Sequence, residues 1–228
     1  MSRPLVTVPM DLLTATEIDW DIDWRGQPGS ESTADTSQVV YNRFPRWVGA
    51  LSLVQPPAII GRWRALRWSA QGRAGIYRLP MIDPAIFDRT VVPQKMASSL
   101  GFGFPVGSDF LGDFSEQAVP TVSAASAAPA GSEVLRISVA NLDLVPTVGQ
   151  IISADDWPMG ITDVSYEGGA TYLLGVQMPL RAPISAGASI SLVGMGRFEV
   201  LTDMAGRGSY GLDRVSTPSI EFREVLTR

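Results

Sequence analysis

The sequence predicts a mainly β chain: a β-sandwich carrying a single helix, plus a second small β-barrel-like domain. Three observations predict it. Short runs of alternating apolar and polar residues recur along the chain, 22 glycines and 17 prolines punctuate them, and only the stretch near 57–71 has helical periodicity. Closely spaced strands between Gly and Pro turns are the pattern of sandwiches and barrels. With 228 residues, the chain is long enough for one large β domain or two small ones.

The clearest strand is Ile18-Asp19-Trp20-Asp21-Ile22-Asp23-Trp24. A period of two puts Ile18, Trp20, Ile22 and Trp24 on one face and the three aspartates on the other, as a half-buried strand requires. Residues 26–37 are polar and turn-rich, hence a loop, and a strand is expected over 47–54. Pro56-Pro57 then opens the helix, where a missing N–H costs nothing. Ile59, Ile60, Trp63, Leu66 and Ala70 share one helical face, and Gly72 stands where a glycine stop belongs. A short strand over 75–80 runs into Pro80. From 91 to 132 periodicity disappears, and the Ala/Ser/Pro tract of 122–131 reads as a linker or extended arm. Beyond it, strands are expected around Leu135, Ile137 and Val139, at 149–152, and at 157–166 and 171–178 about a Glu167-Gly168-Gly169 turn. Three more follow at 188–193, 197–201 and 219–225.

Composition excludes much chemistry. There is no His and no Cys, so Ser-His-Asp and Cys-His nucleophiles, thiol ligands and disulfides are absent from the outset. The one lysine, Lys95, has no neighbours arranged to tune it for Schiff-base work. A net charge of -5 argues against a general nucleic-acid footprint. No run approaches the roughly 18 apolar residues that span a bilayer, and the first twenty residues lack a secretory apolar core. Charged residues are 18%, below the roughly 25% usual for soluble domains, which suggests a surface partly covered by partners. No catalytic, cofactor-binding or metal-binding residue is assigned, and no enzyme activity is expected.

Four groups of residues are candidate sites. Asp19, Asp21 and Asp23 have the alternation of a calcium loop, but Trp20 and Ile22 between them belong in a core, so an exposed strand face is preferred. Asp155, Asp156, Asp163 and Glu167 can be imagined as paired carboxylates for glycoside hydrolysis; solvated turns are preferred. Arg62, Arg64, Arg67, Arg73 and Arg78 form the one basic cluster, suited to anionic surface on a neighbouring subunit. Phe102, Phe104, Phe110 and Phe114 lie in a glycine-rich stretch that cannot hide them locally, and they are candidate anchors into an adjacent copy. The inter-subunit candidates are therefore these four phenylalanines with Arg62, Arg64 and Arg67. The patterns Gly101-x-Gly103 and Gly194-x-Gly196 lack the helix that a phosphate loop needs.

Three stretches carry a resemblance: the apolar strand, Pro-initiated helix and strand of 47–80; the alternating strand and isoleucine pair of 135–152; and Gln177-Met178-Pro179-Leu180-Arg181-Ala182-Pro183, followed by Gly187, Arg197-Phe198, Phe222 and Glu224. In this order they resemble distal-tail and tail-tip (minor tail) proteins of long-tailed bacteriophages and gene transfer agents. The resemblance implies a sandwich ring domain from residues 1–95 and 194–228, with the helix near 57–71. It also implies an inserted barrel-like domain at 133–193, joined through an aromatic arm and linker at 96–132. It further implies a structural virion protein made in the bacterial host cytoplasm, forming a homo-oligomeric ring (six-fold favoured, three-fold possible). The ring would join the tail tube protein to the tail-tip hub or baseplate, with no cofactor. The alternatives are a carbohydrate-binding host-attachment module and, more distantly, a glycan-cleaving tail enzyme.

Overall fold

The computed structural model describes residues 3–9, 12–13, 15–26, 30–31, 37–38, 45–83, 86 and 121–227. The chain is mainly β, with one α-helix among the described residues and two six-stranded sheets, the first open and sandwich-like, the second closed into a barrel. The first half supplies β1 (Leu5–Thr7), β2 (Ala15–Asp23), β3 (Ser30–Glu31), β4 (Ser37–Gln38), β5 (Arg46–Leu53), α1 (Pro57–Ala70) and β6 (Ile76–Met81). After residue 120 come β7 (Thr121–Ala124), β8 (Val134–Ser138), β9 (Ile151–Ala154), β10 (Trp157–Gly168), β11 (Thr171–Gln177), β12 (Ser189–Ser191), β13 (Gly194–Val200) and β14 (Ser219–Glu224).

The open sheet runs β1-β6-β13-β14-β5-β2, so the last two strands fill the middle of a sheet that the first strands border. Its inner face is apolar because alternation is strict. Trp47, Leu51 and Leu53 on β5, Tyr77 and Leu79 on β6, Phe198 and Val200 on β13, and Ile220 and Phe222 on β14 are all buried in one core. Rings stack within it, Tyr77 with Phe222 at 5.8 Å and Phe198 with Phe222 at 6.2 Å. Gly49 stands opposite Trp20, and the indole lies over the space its missing side chain leaves, reaching Phe198 at 5.2 Å. Sequence alternation placed Trp24 with Ile18, Trp20 and Ile22. Instead β2 stops at Asp23, opposite Arg46 where β5 begins, and Trp24, beyond the last paired residue among those described, is 52% exposed.

Helix α1 lies against this inner face through Ile59, Trp63 and Ala70. Burying two such large side chains contributes about 1.5–3 kcal/mol each. The helix stop differs from the expected one. Gln71 takes the left-handed cap (φ 58) and donates its N–H to Trp68 O at 3.2 Å, and Gly72 begins a short 3-10 turn over Gly72–Ala74. Glycine suits 72 because the backbone there is left-handed (φ 65), and a Cβ would also crowd Asp203.

The barrel closes in the order β10-β11-β8-β7-β12-β9. Its interior is filled by inward residues such as Leu135, Ile137, Ile152, Leu174 and Ile190, each 1% exposed or less. The reading of 122–131 as a linker, and of 133 as the barrel's start, is corrected here. β7 pairs with both β8 and β12 and is the strand that closes the barrel, with Val122, Ala124 and Ala128 buried. Small side chains serve because a narrow barrel leaves little room inside. The part of the expected arm before residue 121 lies outside the described residues.

Candidate functional site

Three features outside the apolar cores gather charge: the outer face of the open sheet, the surface over α1, and the seam between sheet and barrel.

On the outer face, register sets Asp19 opposite Ala50 and Ala50 opposite Glu221. One step along, Asp21 faces Val48 and Val48 faces Arg223. These rows form a cleft of about 350 Å³, floored by Val48, Ala50 and Leu201 and rimmed by Asp19, Asp21 and Glu221. Arg46 is paired with Asp23 at 3.2 Å and Arg223 with Glu199 at 2.7 Å. Among the described residues no ion pair neutralises Asp19, Asp21 or Glu221, so the rim is acidic. The expected exposed aspartate face is thus one wall of a cleft, and no metal-holding cluster is found among the described residues.

Glu199 also binds Arg3 at 2.8 Å. Burial pushes its pKa up, but the hydrogen bonds and charges of Arg3 and Arg223 together outweigh burial and hold the carboxyl below its ordinary value. Its contribution to stability is therefore present above the unfolded value of about 4.3, and is lost as pH falls through the lower folded value. Glu199→Gln is expected to lower the urea midpoint at pH 7 and to flatten its decline on acidification. An unchanged acid limb would remove Glu199 as a source of that pH dependence.

Behind the sheet, α1 supports the long β13–β14 connection, residues 201–218. Trp63 Nε1 donates to Gly206 O at 2.9 Å, Arg67 Nε to Ala205 O at 2.8 Å, and Arg64 Nη2 to Tyr210 Oη at 3.2 Å. Gln55 and Ser216, both buried, bridge the base of the loop. Of the expected inter-subunit residues, Arg67 is half-buried and spent on this intrachain contact, whereas Arg62 and Arg64 are exposed. Burial lowers the Arg67 pKa, and nearby Arg207 adds to the lowering. Arg73 pairs with Asp203 at 3.3 Å, and Arg78 sits elsewhere, at the seam. Phe102, Phe104, Phe110 and Phe114 lie outside the described residues. What sequence reasoning missed is the exposed apolar set beside these arginines: Trp68 at 70%, Met204, Tyr210 and a fully exposed Leu212. Its one signal was a connection of this length where a hairpin needs only a few residues.

At the seam, Asp155 and Asp156 form the two-residue β9–β10 turn, both left-handed (φ 47 and 60). The turn carries Asp156 between Arg78 and Arg197, which stand directly opposite one another on β6 and β13. Its two oxygens take one Nε each, at 2.8 and 3.0 Å. The solvated turn expected at Asp156 is therefore a buried link, because two facing arginines need an anion between them. On the inner side, Trp47 Nε1 donates to Pro158 O at 3.0 Å. Arg181 reaches from the barrel to Glu224 at 3.0 Å and donates to Pro45 O at 2.7 Å. The barrel so grips the sheet from both faces. Asp163 and Glu167 are engaged separately, with Ser165 and Arg136, and do not join Asp156.

No protein-family model matches the chain, and no curated protein sequence matches it.

Proposed function

We propose that the chain is a structural subunit of a siphophage-like tail tip, assembling into a ring that joins the tail tube to the distal tip or baseplate. The observation that carries this reading is the build of the molecule. An open sheet, finished by strands from the far end of the chain, holds an inserted barrel through two ion-paired contacts, and charged surfaces of opposite sign flank the sheet. A two-part body with such flanks is suited to joining neighbours. The lack of His and Cys, and the spending of Asp156 on a structural link, support a role without catalysis. The reading also rests on the sequence resemblance to distal-tail proteins carried by residues 47–80, 135–152 and 177–183. Its partners are further copies of itself, the tube protein and the tip hub, and its place is the virion tail tip.

The test is direct. Antibody labelling of intact tails should decorate the tip at one level, and the chain should be found there in a fixed, small copy number. A chain absent from purified particles, or reproducible release of products from host polysaccharide by the pure protein, would overturn the reading.

A further inference from the structure

The two charged surfaces are complementary in detail. The cleft offers an apolar floor, Val48, Ala50 and Leu201, inside a net acidic rim: its Arg46 and Arg223 are ion-paired with Asp23 and Glu199, which leaves Asp19, Asp21 and Glu221 uncompensated among the described residues. The surface over α1 offers the reverse, an apolar projection within a basic rim. Leu212 is fully exposed at the tip of the β13–β14 connection, with Tyr210 beside it, and Arg64, Arg207 and Arg214 are exposed on the same helix and loop. Arg64 keeps its charge while bonding Tyr210, a neutral group, with its guanidinium 5.8 Å from the ring centroid. Of the acids on this side, Asp203 is paired with Arg73, and Asp213, which only accepts the N–H of Val215, is outnumbered by Arg64, Arg207 and Arg214, so the surface is net positive. The tip is held in place by the Gln55–Ser216 and Tyr210–Ser216 bridges, so presenting it costs little further ordering.

The surfaces lie on opposite sides of one sheet, since Ile220 points inward to Trp63 and its neighbour Glu221 outward to the cleft. A protomer therefore cannot fill its own cleft. Two copies meeting through the same surface would set arginine against arginine or carboxylate against carboxylate. Only a head-to-tail contact pairs opposite signs, and such contacts generate closed rings when the rotation closes.

We propose that the Leu212 tip of one copy, with the arginines around it, seats in the acid-rimmed cleft of a second copy. This rests on the assembling role given above and names the surfaces that perform it. Leu212 covers Val48 and Ala50, while Arg64 and Arg214 face Asp19, Asp21 and Glu221. Charge steers the encounter and sets its direction, and the apolar centre holds it.

The absence of native cysteine makes the contact traceable. Full-length Leu212→Cys and Ala50→Cys proteins, distinguished by tags, are mixed and mildly oxidised. The expected product is a disulfide-linked dimer of unlike species, formed in the mixture and not by Leu212→Cys alone. Its yield should fall several-fold from about 50 to about 500 mM salt. Adding Asp19→Lys and Asp21→Lys to the Ala50→Cys copy should cut it about tenfold, with recovery when Arg64→Glu and Arg214→Glu are placed in the other copy. A mixture that gives no unlike dimer, or Leu212→Cys alone linking as readily, overturns the pairing. Neither result touches the tail-tip reading, which stands or falls on whether the chain is in the particle.

Discussion

Replacing Arg181 with alanine is expected to be among the most damaging single changes in the chain, at about 3–5 kcal/mol. The reason is the partner it leaves behind. Glu224 has a fully buried side chain on the inner face of β14, where its Oε2 accepts from Arg181 at 3.0 Å and from the N–H of Trp47 at 3.1 Å. Without the guanidinium, the backbone N–H of Trp47 is a poor substitute for the lost cation, and a carboxylate in a dry site is costly. Arg181 also closes the inner seam through Pro45 O and lies 5.7 Å from the Trp157 ring, so contact between barrel and sheet loosens at once. Thermal unfolding should shift by roughly 2–4 °C for each kcal/mol in a chain of this length. The double variant Arg181→Met with Glu224→Gln should recover most of the loss, because the amide still accepts from Trp47 and no charge is stranded. A double variant no better than Arg181→Ala would mean that the lost guanidinium contacts to Pro45 O and the Trp157 ring, rather than a stranded charge, are the cause.

The second large effect belongs to Asp156→Ala, expected at about 2–3 kcal/mol. Here the groups left behind are Arg78 and Arg197, facing one another across β6 and β13. Both are partly exposed, at 36% and 29% of the side chain, so water relieves some of their repulsion and the loss is smaller than at Arg181. The consequence is specific in place. Amide exchange should rise at the β9–β10 turn and around Arg78 and Arg197 in the facing strands β6 and β13, and much less at β2. Asp156→Asn keeps one acceptor oxygen, enough for one of the two arginines, and should fall between wild type and alanine. Uniform faster exchange across the whole chain would argue for a general loss of stability instead of a loosened seam.

Alternation alone placed several elements correctly, because a strand's period of two is a local property. β5, β6, β8 and the β10–β11 hairpin lie within a few residues of where the pattern sets them, with the hairpin turn at Gly169-Ala170, one residue past the expected glycine pair. Local chemistry also fixed α1, from Pro57 at its start to Ala70 in the core. The tract at 122–131 defeated the same logic. Ala and Ser carry little burial energy, so nothing local distinguishes a linker from the strand that closes a narrow barrel; only pairing with β8 and β12 decides.

The candidate site divides along the same line. The aspartates of β2 were legible as a polar face, but the cleft they border exists only because β14, from the far end of the sequence, pairs beside β5 and brings Glu221 and Arg223 with it. The basic character of α1 was legible, whereas Arg67's commitment to Ala205 and the exposure of Leu212 follow from how the 201–218 connection lies on the helix. Asp156 read as a turn residue, and a turn it is, with its carboxylate buried between two arginines some eighty and forty positions away in sequence. By itself the sequence determined which faces are apolar, where the chain turns and which chemistries are absent, since these depend on residue type and short spacing. The tertiary structure alone decided which charges meet, because charge pairing acts over a few ångströms between strands whose order in the sheet is not their order in the chain.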